Sequence, residues 1–321
     1  MKLSVLTVLL GDRPLEEVLK YLTAMDVHTI ELGTGGYPGN AHCKPAELLA
    51  DAGKLKAFKQ LIKDYEIEIC ALSTHGNYVH PNPDIAAKFQ SDLDNTLKLA
   101  GELGIDRVVG FSGCPGGGPK DEYPNWVTCP WPDDFQEILD YQWNQVLIPY
   151  WSKMCPIAQS YGVNRIALEM HPGFCVYNVE SLLKLREAVG PVIGANLDPS
   201  HLFWQGVNIP AAIRKLGDAI YFFHAKDTKV DEINTGVNGV LDTKHYADEI
   251  NRSWIFRSVG YGHDYQTWKD IVSNLRMVGY DDVMSIEHED SLLSPTEGLE
   301  KAVSFLKEVM AFQGTTEMFW A

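Results

Sequence analysis

Short apolar runs alternate along this chain with longer segments whose apolar positions recur every three to four residues. The runs at 3–9, 29–32, 67–72, 107–111, 165–169, 192–197, 220–224 and 283–287 read as strands. They are continuously apolar rather than alternating, as expected of parallel strands covered on both faces. The segments 14–24, 45–64, 83–103, 134–161, 179–189, 209–216, 265–277 and 295–311 carry the helical period. Proline stands in or near the first turn of several of these, where its missing N–H costs nothing, and glycine closes others at Gly104, Gly162 and Gly279. Eight strand-then-helix units specify an α/β fold of the (β/α)8 type, a TIM barrel, better than an open doubly wound sheet. The absence of a G-x-G-x-x-G turn after the first strand points the same way.

Three stretches exceed a minimal barrel. Residues 113–131 follow the fourth strand and carry Gly116-Gly117-Gly118, and residues 228–262 follow the seventh. Long loops after strands lie on the face of a barrel where sites are built, so both are expected to form lids or partner surfaces. Trp126, Trp131, Trp254 and Phe256 are too apolar for water and predict ordered packing. The chain therefore reads as one barrel domain over 1–313 and a tail, 314–321, whose Met318-Phe319-Trp320 predicts a docking segment.

Composition narrows the function. A net charge of −16 opposes nucleic acid as a partner. No segment approaches the roughly 18 apolar residues of a membrane span. Six cysteines stand singly without a C-x-x-C pair, which suggests neither a disulfide frame nor a thiolate metal site. The N-terminus runs straight into a strand pattern, and a cytoplasmic location is expected.

The chemistry gathers where strands end. The run to Leu197 stops at Asp198-Pro199-Ser200-His201, with the proline expected to delay any helix. Asp198 either caps the next helix or serves a site. The fifth strand ends Glu169-Met170-His171, the seventh His224-Ala225-Lys226-Asp227 and the eighth Glu287-His288-Glu289. In a barrel these ends converge. Three carboxylates brought together repel by about 4 kcal/mol per pair at roughly 4 Å, a penalty that a divalent cation removes. Glu169, Asp198, His224 and Glu287 form a hard ligand set suited to Mn²⁺, Mg²⁺ or Co²⁺, with Zn²⁺ as a further candidate. His171 lies two residues beyond Glu169 and faces the same way, which makes it an auxiliary base unless it hydrogen-bonds into its loop.

This order of Glu, Asp-x-x-His, His-x-Lys-Asp and Glu resembles the xylose-isomerase-like barrels, among them ketose 3-epimerases, inosose-processing enzymes and AP endonucleases. Gly260-Tyr261-Gly262-His263-Asp264 is similar to that superfamily's G-x-G-x-x-D turn. The fourth strand ends Gly110-Phe111-Ser112 without the histidine of the AP-endonuclease branch, so DNA repair is not implied. The resemblance implies one divalent metal, Mn²⁺ favoured, with Glu169 and Glu287 exchanging protons beside a sugar carbonyl and His201 contacting substrate. His75 is expected on a sugar hydroxyl, Asp227 on substrate or, with Lys226, behind His224, and Glu289 on a solvated rim. Glu31 either binds substrate or pairs with a cation. The aromatic loops resemble most the large subunit of C-glycoside deglycosidases, which implies cleavage of 3-oxo-C-glycosides and a hetero-oligomer with a small partner subunit. Isomerisation or 3-epimerisation of a free ketose or inosose is the alternative, and a non-catalytic sugar-binding barrel the second.

Overall fold

The computed structural model describes residues 1–318 and 320. Eight parallel strands close into a barrel: β1 (Lys2–Leu6), β2 (Thr29–Gly33), β3 (Glu68–Ser73), β4 (Arg107–Gly110), β5 (Arg165–Glu169), β6 (Ile193–Leu197), β7 (Ile220–Ala225) and β10 (Val283–Ile286), with β10 beside β1 and β7. Between β7 and β10 the chain inserts an antiparallel hairpin, β8 (Asp227–Val230) and β9 (Trp254–Arg257). The expected (β/α)8 fold is therefore present, with its extra chain after β4 and β7. Helices surround the strands, and the main core lies between the two layers, filled by side chains such as Val5, Ile30, Leu72, Trp151, Leu182 and Trp268.

Four helices have the expected limits, at Pro83–Leu103, Val179–Val189, Ile209–Leu216 and Tyr265–Met277. Asn82, Asn178, Asn208 and Asp264 cap their first turns and fix where each begins. Elsewhere local chemistry overrides the period. The first strand stops at Leu6 because Thr7–Leu10 turns into a 3-10 helix, with the Thr7 hydroxyl bonded to His42. The segment 45–64 is two helices, Pro45–Ala50 and Ala52–Asp64, because extended Asp51 accepts the N–H groups of Gly53 and Lys54 as an N-cap. The helix expected over 134–161 is interrupted by a π-helical stretch, Tyr141–Leu147. Buried Gln142 there donates to the carbonyls of Pro115, Gly116 and Asn125 and so pins the loop after β4.

Proline does not delay the helix after β6. Pro199–Phe203 is helical from its first residue, since a proline at N1 gives up no hydrogen bond. His201 is consequently held on a helix rather than in a loop. Of the tryptophans expected to be ordered, Trp254 is buried and stacks in parallel on Trp204 at 4.6 Å, whereas Trp131 is 73% exposed. The tail's Met318 and Trp320 are also exposed, and Phe319 and Ala321 lie outside the described residues.

Candidate metal centre

Alternation along each strand decides which side chains enter the barrel mouth. His224 on β7 and Lys226 share parity and point inward. Asp227 has the opposite parity and points into the insertion, where it accepts N–H groups from Thr228, Gly260, Gly262 and His263 and the ring N–H of His263 at 2.7 Å. Its oxygens are committed there, so the substrate contact expected of Asp227 is corrected to an anchor for the inserted hairpin. The turn is built for this: Gly260 adopts φ 90°, and a Cβ on Gly262 would come within 2.3 Å of the Thr228 carbonyl.

The four expected ligands meet. One ligand atom from each of Glu169, Asp198, His224 and Glu287 lies within 4.8 Å of the others. Two ligands at about 2.1 Å from one ion sit roughly 3.0–4.2 Å apart, so the set closes around a cation with small adjustments. Asp198 caps the next helix with one oxygen and turns the other toward the cluster. Its Oδ1 caps the following helix by accepting the Ser200 N–H at 2.8 Å, while Oδ2 has no aligned hydrogen bond among the described residues and lies 3.1 Å from Lys226 Nζ and 3.3 Å from His201 Nε2. Burial raises its pKa, the Lys226 ammonium acting against that rise.

His224 carries the strongest signal. Its Nε2 donates to Glu31 at 3.0 Å, an arrangement typical of a histidine held for a metal. Its Nδ1 is buried and without a hydrogen-bond partner among the described residues, yet sits 3.2 Å from Glu169 Oε2 and 3.3 Å from Glu287 Oε2. A lone pair facing two carboxylates is repulsive unless a cation stands between them. Burial opposes protonation here, but the carboxylates of Glu31, Glu287 and Glu169 outweigh it and hold the imidazole's pKa well above its ordinary value. Glu31 itself accepts from the hydroxyls of Ser73 and Ser285 and is fully buried. Of the two roles expected for it, the pairing with a cationic neighbour is the one found.

Glu169 is 2% exposed and receives Asn196 Nδ2 at 3.0 Å and His75 Nε2 at 3.1 Å, with His201 Nε2 3.0 Å away. Burial alone would raise its pKa, but the imidazoles of His201, His224 and His75 beside it hold it well below the usual carboxylate range. His171 donates from Nδ1 to the Pro172 carbonyl at 2.5 Å, which leaves Nε2 without its proton, and burial keeps the ring's pKa low. The loop hydrogen bond and the availability of a base nitrogen are thus compatible. His171, His201 and Glu169 form a second group of converging donors.

Lys226 is the residue that sequence reasoning put in the wrong place. Its buried ammonium meets Glu287 at 2.6 Å, Glu289 at 2.9 Å and Asp198 at 3.1 Å, so it stands in the site rather than behind His224. The two-residue spacing from His224 was the available signal. Glu289 is half-exposed and occupies the rim as expected. Asp198, Glu287, Glu289 and Glu169 act on this ammonium while Glu31 is held against His224, an excess of negative charge that suits a divalent cation. With three carboxylates, one imidazole and no thiolate, the residues fit Mn²⁺, Mg²⁺, Co²⁺ or Zn²⁺.

Residues 19–309 match the family model described as the xylose isomerase-like TIM barrel. The protein YfiH of Bacillus subtilis (strain 168) is 41% identical over 313 residues, spanning 97% of this chain and all of that one. Among solved structures, an IOLI protein with a binding zinc atom superposes with a TM-score of 0.67 at 21% identity, over 96% of this chain and 98% of that chain. A D-psicose 3-epimerase in the presence of D-fructose gives 0.62 at 13% identity, over 97% and 99%. At such identities these two likenesses are ones of fold. No helix among the described residues is long and apolar enough to cross a membrane. From its own sequence and the length of the match, this chain belongs to the xylose isomerase-like TIM barrel family.

Proposed function

We propose that the protein is a divalent-metal-dependent enzyme that removes a proton next to the carbonyl of a keto-sugar. The observation that carries this reading is the convergence of His224 Nδ1 with the carboxylates of Glu169, Asp198 and Glu287. Bound there, a divalent cation such as Mn²⁺ supplies polarisation of a carbonyl and its neighbouring hydroxyl. Glu169 at the end of β5 and Glu287 after β10 reach the mouth from strands separated by β6 and β7 and exchange the proton of the adjacent carbon. A base so positioned is worth about 10²–10⁴ in rate. His171 Nε2 is the auxiliary acceptor. His75 and His201 hold sugar hydroxyls, and the Lys226 ammonium balances charge that develops on the carbonyl oxygen.

Cleavage of a 3-oxo-C-glycoside is the preferred outcome of that proton loss, because the loops after β4 and β7 bring aromatic side chains to the mouth. Isomerisation or 3-epimerisation of a free ketose is favoured instead by the pairing of Glu169 and Glu287, since two carboxylates on different strands suit proton removal and return on opposite faces. The protein named as a D-psicose 3-epimerase shares this fold. The test is exchange of solvent deuterium into D-fructose and a 3-oxo-glucoside with Mn²⁺ present. Incorporation supports enolisation, and bound sugar without incorporation supports a sugar-binding barrel with no turnover. We also propose a small partner subunit, to be sought as a stoichiometric band on co-purification.

A further inference from the structure

The ligand cluster opens into a cavity of about 210 Å³ bounded by Glu169, Lys226 and Glu287. A second cavity of about 420 Å³ adjoins it, and His171 lines both. The first lies below the usual size of a small-molecule pocket, whereas the second lies within that range. Their walls also differ. The second is bounded by Trp126 from the loop after β4, Trp204 from the helix after β6, and Leu241, Tyr246 and Trp254 from the insertion after β7. None of these side chains belongs to the barrel strands.

This aromatic wall is built in advance of any ligand. Trp204 and Trp254 stack at 4.6 Å with rings 5° from parallel, and Tyr246 stacks on Phe256 at 5.7 Å. The Arg252 guanidinium lies 4.4 Å from the Tyr246 ring centre and 4.6 Å from that of Trp254, and Trp254 Nε1 donates to the Val240 carbonyl at 3.0 Å. Phe256 continues the wall to the catalytic cluster, 5.2 Å from His201 and 4.7 Å from Lys226 Nζ. The carboxylate that reaches this cavity, Asp242, is already engaged by the Ser253 N–H at 2.7 Å and by Lys244. The cavity walls also carry the indole N–H groups of Trp126 and Trp204, themselves buried and without a hydrogen-bond partner among the described residues, so a flat ring bearing an oxygen acceptor would find faces, edges and donors here.

We propose that the second cavity is a subsite for a planar aromatic group of the substrate, linked to the polar portion that reacts in the first. The assignment of the first cavity rests on the reading under Proposed function; the aromatic subsite rests on its own walls. The test is isothermal titration of the purified full-length protein with 4-nitrophenol, 4-nitrophenyl β-glucoside, methyl β-glucoside and cellobiose. It is repeated on Leu241→Trp, which fills the cavity from an exposed position, on Tyr246→Ala, which removes one wall, and on His224→Ala, which removes a metal ligand. The expected result is 1:1 binding of both aryl compounds, weakened at least tenfold by Leu241→Trp and by Tyr246→Ala, and retained in His224→Ala. The proposal is overturned by aryl binding equal in wild type and both cavity variants, by no aryl binding at millimolar concentration, or by cellobiose binding in its place. A failure of the metal reading shows instead as Mn²⁺ binding unaffected by His224→Ala, with aryl binding intact.

Discussion

At the end of the barrel where the strands begin, four carboxylates meet cations near water. Asp282 pairs with Arg107 and Arg165, Asp106 with Arg165 at 2.8 Å, Asp281 with the amino terminus at 2.8 Å and Arg276 at 3.0 Å, and Glu68 with Lys2 at 2.6 Å. Those carboxylates are between 35% and 52% exposed. At the opposite end, Glu31, Glu169 and Asp198 are at most 2% exposed and Glu287 17%, with Lys226 as the fixed cation beside Asp198 and Glu287. The same residue types are balanced at one end and left in excess at the other. Balanced, exposed pairs hold strands in register at modest gain. An uncompensated buried excess is unfavourable for the fold and is retained where a ligand completes it.

Breaking the two ends has different consequences. Glu287→Gln is expected to lower deuterium exchange into a keto-sugar by about 10²–10⁴, as for loss of a general base, with the fold intact by circular dichroism. Glu31→Gln removes the acceptor that orients His224, and Mn²⁺ affinity measured by calorimetry should fall about 10–100-fold. Arg107→Met at the other end leaves Asp282 with only the more distant Arg165, at 3.8 Å. Because that carboxylate is a third exposed, the cost is about 2 kcal/mol rather than the full amount for a buried pair, read from denaturant unfolding, while Mn²⁺ affinity stays unchanged.

The ends also differ in their response to pH. Without metal, protonated His224 stabilises the carboxylate cluster. Its folded pKa is raised, so this contribution is complete below about pH 6.5 and is lost as pH rises through the folded value. A metal must displace that proton, so Mn²⁺ affinity should rise by up to about tenfold per pH unit between roughly pH 6 and 8. Calorimetry at several pH values checks this, and a flat profile would contradict it.

The barrel and its ligands were legible because both rest on local rules. Continuous apolar runs ending in Glu169, Asp198 and Glu287 leave a charge at a strand end with no local partner, and that is visible without coordinates. Parity along the seventh strand was equally visible, and applied to Lys226 and Asp227 as it was to His171 it would have turned the lysine inward and the aspartate outward. What resisted reading depends on distant contacts. Glu31 meets His224 across 193 residues, Gln142 holds a loop from within a π-helical turn, and no periodicity carries either pairing. Asp51 and Pro199 were misread for a smaller reason: capping chemistry at a single residue outweighed the pattern around it.

The central claim is that the excess of carboxylates at the barrel mouth binds one divalent cation through Glu169, Asp198, His224 and Glu287. Titration of Mn²⁺ into chelator-stripped protein, followed by calorimetry, measures it directly. The account predicts one site per chain, abolished in the Asp198→Asn, His224→Ala double variant. Equal binding by that variant, or no binding of Mn²⁺, Mg²⁺, Co²⁺ or Zn²⁺ to the wild type, would contradict it.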